Sequence, residues 1–259
     1  MRDAIHYEWV RLTTTRGFHV LTAATILVSV LFSWAISLMI ANMAPEMTTQ
    51  AAGEAATVAA TRSPLVLLAA GLLGIFSFGQ EKRYGTLCLA LLAMPQRSAL
   101  FAAKVVMTLL VTTTWTTAST LMSVIVSNAV LGSSNLLESD PAVLVGCLVL
   151  ANGWALLGIG AGLLLPRTGA VALLVAGSAL VEPLLGQLVE RIEIWGTSAA
   201  AFLPFRAGSS LIGFADPALG AIVAETFPRL PALAGGGLFF LYVAVLLAAS
   251  YRKGVVKAQ

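Results

Sequence analysis

The sequence predicts an all-α membrane protein with six transmembrane helices, an interfacial N-terminal helix and both termini in the cytoplasm. Of its 259 residues, 58% are hydrophobic and only 10% are charged, whereas about a quarter of the residues in a soluble domain are charged. The apolar residues form separate stretches long enough to cross a bilayer. Lysine and arginine collect in alternate connecting segments, which indicates a single orientation.

The N-terminal segment 1–17 is predicted to form an amphipathic helix on the cytoplasmic membrane surface. Helical spacings of three and four place four apolar side chains on one face: Met1, Ile5, Trp9 and Leu12. A disordered basic leader is the alternative interpretation. The apolar run that follows exceeds the core of a signal peptide, which has about 7–15 residues, so we interpret it as the first span.

The whole chain, 1–259, is predicted to be one transmembrane domain. Pro64, Pro141 and Pro231 each stand at the start of an apolar run, where proline is tolerated in the first helical turn. The Thr-, Ala- and Gly-rich residues 44–62 are expected to form a connecting loop. The six predicted spans are 18–43, 63–79, 103–131, 141–165, 170–189 and 231–250.

The distribution of basic residues orients these spans. Eleven of the 15 lysines and arginines lie in four alternate segments: 1–17, 80–104, 166–168 and 251–259. The positive-inside rule places these segments in the cytoplasm. Six spans return the C-terminus to the side of the N-terminus, so the assignment is consistent with itself.

The segment 190–230 is predicted to be external. It contains two short apolar stretches, Thr197–Phe205 and Ala218–Val223, among three prolines. Neither stretch reaches the roughly 20 residues of a span. They either dip into the membrane as re-entrant helices or pack on the external rim.

The cytoplasmic segment 80–98 carries the most informative motif. A charged cluster leads into Gly-Thr-Leu and an apolar stretch, which a proline and a basic cluster follow. This order resembles the first cytoplasmic loop of type-2 ABC exporter permeases. The matching positions are Glu81, Arg83, Gly85, Thr86, Leu87, Leu91, Leu92, Pro95, Arg97 and Lys104. Many members of that family carry a glutamate directly after Gly-Thr-Leu, where this chain has Cys88, so any ion pair of that glutamate is absent or supplied differently here.

The resemblance implies a permease subunit of the plasma membrane, as in the bacterial inner membrane, that pairs with a second copy or a homologue. Each permease would dock a separate ATP-binding cassette subunit, and ATP and magnesium would belong to that partner. The docking residues implied are Glu81, Lys82, Arg83, Tyr84, Gly85, Thr86, Pro95 and Arg97. The exported substrate would be hydrophobic or amphipathic.

Catalytic chemistry is not expected in this chain. The sequence has no Gly-x-x-x-x-Gly-Lys-[Ser/Thr] phosphate loop, because the nearest string, Gly74–Gly79, continues with Gln80. We therefore expect no cofactor here and no ATP binding by this subunit. The only two histidines, His6 and His19, provide no metal-binding cluster. A net charge of +3 gives no argument for a nucleic-acid partner.

Small and hydroxyl side chains recur on single faces of the predicted spans. Six share one face of the third span: Thr108, Thr112, Thr116, Thr120, Ser123 and Ser127. Close helix packing, the commoner role in membranes, is the favoured interpretation. A polar wall of a substrate path, with Thr116 and Thr120, is the alternative. The same packing is expected of Gly158 and Gly162 in the fourth span.

Glu182 is the acidic residue of the predicted fifth span. An intramembrane carboxylate is costly and is therefore a functional candidate, but Glu182 could also reach the surface or pair with Arg191 or Arg206. In the resembled family, the second and fifth spans face each other across the dimer. The resemblance thus makes Phe76, Phe78 and Glu182 candidate residues of the substrate path.

Two other functions compete with a permease subunit. An ion-coupled secondary transporter needs ion-binding carboxylates near the middle of the bilayer, and Glu182 is the one candidate. A membrane scaffold that assembles other proteins without transport needs neither such carboxylates nor an ATPase partner.

Overall fold

The computed structural model describes residues 2–43, 49–61, 63–84, 97–132, 141–176, 181–189, 191–194, 197–212 and 230–252. Its secondary structure is mainly α-helical. The longer helices are α1 (Arg2–Thr14), α2 (Arg16–Met43), α3 (Thr49–Thr61), α4 (Pro64–Tyr84), α5 (Arg97–Leu131), α6 (Pro141–Leu164) and α7 (Arg167–Ala176). They are followed by α8 (Glu182–Val189), strands β1 (Glu193–Ile194) and β2 (Thr197–Ser198), a 3-10 turn (Ala199–Phe202), α9 (Pro204–Ser209) and α10 (Ala232–Tyr251).

Within the residues that the structure describes, five segments are long and apolar enough to cross a membrane, which confirms a helical membrane-type fold. These segments are Arg16–Asn42, Ala55–Gly79, Ser98–Leu131, Leu144–Leu164 and Ala232–Tyr251. The N-terminal segment 1–17 contains a helix, as expected, which is α1, and residue Thr15 separates it from α2.

The expected fifth span, 170–189, lies only partly within the described residues. The structure describes helices of 10 and 8 residues there, α7 and α8, and residues 177–180 between them lie outside the described part. Neither helix alone reaches the roughly 20 residues that cross a bilayer. Pro183 stands at the second position of α8, where a proline is compatible with the start of a new helix.

Helix boundaries also depart from the expected spans. Residues 49–61, expected in a loop, form α3, because this alanine-rich stretch has high helix propensity. Helix α4 continues through the charged residues to Tyr84, and α5 already begins at Arg97. Polar side chains end the apolar character of a span but do not end a helix, since Gln, Glu, Lys and Arg are good helix formers.

The core lies where α4 crosses α6. A Cβ at Gly158 would lie 2.0 Å from the carbonyl oxygen of Gly71, and a Cβ at Gly74 would lie 2.1 Å from that of Ala155. Only glycine permits backbones to approach so closely, which confirms the packing role expected for Gly158. On one side of this pair α2, α3 and α5 pack together, and on the other α9 and α10 pack against α6.

The described part of the segment 190–230, which was expected to be external, folds back onto the helices. Strands β1 and β2 pair antiparallel, and α9 buries Phe205, Ala207 and Gly208. A Cβ at Gly208 would meet Leu150 of α6 and Phe239 of α10. The second apolar stretch, 218–223, lies outside the described residues.

Candidate functional site

Three helices bring oppositely charged side chains together at the end of the bundle where α4 ends. The Lys104 Nζ donates to Glu8 Oε1 at 2.5 Å, to Glu81 Oε1 at 2.7 Å and to the carbonyl oxygen of Ser77 at 3.1 Å. The side chains of Lys104, Glu8 and Glu81 are only 0%, 1% and 3% exposed. A buried ammonium needs such partners, because an unpaired charge in the protein interior loses its hydration at a cost of several kcal/mol.

Arg11 completes this ion cluster, which we define as Glu8, Arg11, Glu81 and Lys104. The Arg11 Nη2 lies 2.7 Å from Glu8 Oε2, and its Nε donates to the same oxygen at 3.0 Å. The Arg11 Nε also lies 4.0 Å from Glu81 Oε1. Two carboxylates thus face two cations, and the buried group carries no net charge.

Aromatic side chains enclose the ion cluster. The Lys104 Nζ lies 5.1 Å from the ring centroid of Phe78, within the range of a cation–π interaction. The Tyr7 hydroxyl donates to Glu81 Oε1 at 3.4 Å, a long hydrogen bond. Partial burial, together with the nearby Glu81 and Glu8 carboxylates, raises the pKa of Tyr7 above its ordinary value of 10. Tyr7 therefore keeps its proton and remains a donor to Glu81 at neutral pH.

Helical periodicity explains how each element presents these groups. Glu8 and Arg11 are one turn apart on α1, and Ser77 and Glu81 are one turn apart on α4. Ala4 of α1 and Ala103 of α5 are buried, and small side chains at such positions allow close approach of neighbouring helices. The ion cluster consequently joins α1 to both helices that flank residues 85–96.

The implied docking residues are only partly within the described structure. Glu81 is described with its side chain, and it faces the interior. Lys82, Arg83 and Tyr84 continue α4, and Arg97 starts α5, but their side chains are not among those described. Gly85, Thr86 and Pro95 lie outside the described residues. The structure joins Glu81 to Lys104 of the same motif.

Glu8 is the residue that sequence reasoning missed. It lies in α1 directly before Trp9 of the predicted apolar face, and it is fully buried. Two signals were available: a carboxylate bordering an apolar helical face, and Lys104 inside an apolar run without an acid nearby in sequence. Neither signal indicates that Glu8 and Lys104 are partners.

The hydroxyl face of the third span packs against a second one on α2. Thr116 and Thr120 are buried, and each donates to the carbonyl oxygen four residues earlier in α5. Ser33 of α2 donates across the interface to the carbonyl oxygen of Ser123 at 3.0 Å. The facing side chains of α2 are Thr25, Ser29, Ser33 and Ser37, all buried. This α2 face, spaced every four residues, was readable in the sequence and was missed.

The phenylalanines proposed for a substrate path have different surroundings. Phe76 is half-buried against the main hydrophobic core, and Phe78 is buried beside Phe101, at a ring distance of 5.7 Å. Glu182 instead lines a cavity of about 620 Å³ between α6, α7, α8 and α10. Neither phenylalanine, nor Thr116 or Thr120, is among the residues that line that cavity.

Glu182 itself binds the N-terminus of α9. Its Oε2 accepts from the Phe205 amide at 2.6 Å, and its Oε1 accepts from the Arg206 amide at 2.7 Å. These amides have no partner within the helix, so a carboxylate here satisfies them and offsets the positive end of the helix dipole. The side chain is buried and shares its cavity with Tyr242 and Trp154.

The described residues contain no group of three His, Cys, Asp or Glu side chains that could hold a metal ion. In comparisons with known proteins, the chain matches no protein-family model and no curated protein.

Proposed function

We propose that this chain is the transmembrane permease subunit of an ATP-driven type-2 ABC exporter. It has six spans and cytoplasmic termini, and it works in the plasma membrane as a homo- or heterodimer. A separate subunit binds ATP and magnesium and docks on the segment 80–98. The observation that supports this most is the ion cluster, since it joins α1 to both helices that lead into and out of that segment.

The ion cluster suits mechanical coupling. A buried ion pair adds little net stability, because desolvation offsets its Coulomb energy, but it strongly favours one arrangement of the helices that carry it. Helices α1, α4 and α5 are held together by Glu8, Glu81 and Lys104. A subunit bound to the segment between α4 and α5 would displace all three as a rigid body.

The six-span topology needs a fifth span at 170–189, and it leaves the segment 190–230 on the external side. We assign the fifth span to α7 and α8 together, and residues 197–212 to a re-entrant segment. Within a bilayer every backbone polar group needs a protein partner, and Glu182 supplies one to each of two amides at the start of α9. The cavity beside Glu182 has almost wholly apolar walls, which suits a hydrophobic or amphipathic substrate.

A secondary transporter is less well supported. Such a protein binds its coupling ion with carboxylates near the middle of the bilayer. The buried carboxylates of Glu8, Glu81 and Glu182 all accept hydrogen bonds from protein donors. A coupling ion at Glu8 or Glu182 would have to displace donors from both carboxylate oxygens.

Co-purification tests the proposal. The tagged chain is extracted from its native membrane in mild detergent, and the proteins that accompany it are identified by mass spectrometry. We expect a soluble subunit in stoichiometric amount whose sequence contains a phosphate-loop lysine. If an intact, folded chain purifies without such a subunit, the exporter assignment is wrong. The secondary transporter or the scaffold would then be favoured.

A further inference from the structure

An asparagine lies near the middle of α6, at the surface of the helix bundle. Helix α6 has no charged residue, and Asn152 is its only carboxamide. Asn152 is partly exposed, and Thr113 of the neighbouring helix α5, to which it is hydrogen-bonded, is exposed. Both residues belong to segments that are long and apolar enough to cross a membrane, where lipid tails offer no hydrogen-bond partner. A carboxamide at this position is therefore costly unless another part of a protein covers it.

The hydrogen bonds of Asn152 leave one donor and one acceptor poorly used. Its Nδ2 donates to the carbonyl oxygen of Leu148 at 2.9 Å and to Thr113 Oγ1 at 3.0 Å, so both N–H groups are occupied. Among the described residues, the only donor to Asn152 Oδ1 is the Thr113 hydroxyl at 3.4 Å. That distance exceeds the roughly 2.5–3.0 Å of a good O–H···O hydrogen bond. The Thr113 hydroxyl and Asn152 Oδ1 can therefore each form a better bond with a group outside the bundle.

The exposed side of α6 has the residue spacing of a helix-pairing surface. Its members, which we call the α6 seam, are Val145, Val149, Asn152 and Leu156, separated by four, three and four residues. Val145 is 56% exposed, and the other three are partly exposed. Alternating steps of four and three are the repeat along which two helices pack in a left-handed coil, as in many membrane bundles. A single asparagine in such a repeat specifies the register and the number of helices.

We propose that the α6 seam pairs with the α6 seam of a second copy of this chain. A two-fold axis along the membrane normal brings equal depths of the two copies together. The Thr113 hydroxyl of one copy then donates to Asn152 Oδ1 of the other, and symmetry supplies the reciprocal bond. The surface is complementary to itself, because it presents one donor and one acceptor side by side. This contact uses α5 and α6, so it is separate from the contact of the second and fifth spans that the exporter resemblance implies, and it does not depend on the exporter function.

Cysteine crosslinking of the full chain in its native membrane tests this proposal. The two native cysteines, the only ones in the chain, are replaced by alanine, and one new cysteine is introduced at a time. Near a two-fold axis each residue faces its own counterpart, so Val145→Cys and Val149→Cys should form disulfide-linked pairs of the chain several-fold faster than Met122→Cys. Met122 is a suitable control, because it is 45% exposed and lies half a turn around α5 from Thr113. Gel electrophoresis without reductant measures the rate.

Two asparagines provide a matched pair of variants. Asn152 and Asn42 each donate to the carbonyl oxygen four residues earlier in the same helix, but Asn42 lies near the end of α2. In the chain with Val149→Cys, Asn152→Leu should slow the self-crosslinking by about threefold or more, the effect of one lost interhelical hydrogen bond in a membrane. Asn42→Leu should leave the rate unchanged.

Three results would overturn the pairing of two α6 seams. The first is a rate for Val149→Cys no higher than that for Met122→Cys, and the second is an unchanged rate after Asn152→Leu. The third is a disulfide from Val149→Cys to a different membrane protein in place of a second copy of the chain.

Discussion

Lys104 of α5 and Glu8 of α1 are separated by 96 residues in the chain, yet their Nζ and Oε1 atoms lie 2.5 Å apart in the protein interior. The same ammonium also binds Glu81 of α4. Each of these charges is tolerated inside the bundle because the others are present. The position of α1 on the bundle is therefore coupled to the two helices that flank the segment 85–96.

Removing Lys104 should be strongly destabilising. In Lys104→Met the buried carboxylates of Glu8 and Glu81 lose their shared cation, and breaking a buried ion pair costs about 3–5 kcal/mol. The free energy of unfolding in detergent measures the effect. Adding Glu81→Gln to Lys104→Met leaves the Glu8–Arg11 pair balanced and should recover part of the loss. Unchanged unfolding of Lys104→Met would contradict the buried cluster.

The hydroxyl of Tyr7 should titrate above its ordinary pKa, because partial burial disfavours the tyrosinate and because the carboxylates of Glu81 and Glu8 repel its negative charge. A pKa that is higher in the folded than in the unfolded chain stabilises the fold below the unfolded value. That contribution is lost as the pH rises through the folded value. Tyrosinate absorbance, as the difference between the parent protein and Tyr7→Phe, measures the titration. A Tyr7 pKa at or below about 10, the value of a free tyrosine, would refute the contact.

Gly158 should not tolerate a methyl group. The Cβ of Gly158→Ala would meet the Gly71 carbonyl oxygen at 2.0 Å, so α4 and α6 must separate, and overpacking of this kind typically costs about 1–3 kcal/mol. Gly237→Ala in α10 is the control, since no atom lies within 4 Å of its added Cβ. That substitution should be neutral or stabilise by up to about 1 kcal/mol through helix propensity. Similar melting temperatures for the two variants would argue against the close crossing.

Glu182 should protect the first turn of α9. In Glu182→Gln one of the two carboxylate oxygens becomes an amide nitrogen, which cannot accept from a backbone amide. An unsatisfied buried amide costs about 1–3 kcal/mol, so hydrogen exchange at Phe205 and Arg206 should accelerate by one order of magnitude or more. Ala207 is the internal reference, because its amide donates to the Leu203 carbonyl oxygen. Unaltered exchange at all three amides would remove the capping role.

The coupling role of the segment 80–98 predicts a separation of activities. With a docked ATPase reconstituted in vesicles, Glu81→Ala combined with Arg83→Ala should allow ATP hydrolysis to continue while transport falls. Arg252→Ala is a suitable control, since Arg252 is exposed at the end of α10 and outside the ion cluster. If the double variant transports and hydrolyses like the parent protein, the docking assignment is wrong.

The sequence predicted some residues of the site but did not predict their contacts. Glu81 and Lys104 belong to one motif, so their importance was predicted, but their direct contact was not. Glu8 was overlooked because amphipathic analysis of α1 follows the apolar residues and treats a bordering carboxylate as solvated. Glu182 was recognised as costly in the membrane, yet its partners are backbone amides of α9, and backbone donors leave no trace in a sequence.

The sequence by itself determined that the chain forms long apolar helices and where most of them lie. That result follows from local physics, because an apolar run of roughly 20 residues that must satisfy its own backbone hydrogen bonds in lipid has few alternatives to a helix. The tertiary structure decided which charges pair and where Glu182 binds. These outcomes depend on contacts between residues tens of positions apart, and helical periodicity carries no information about such contacts.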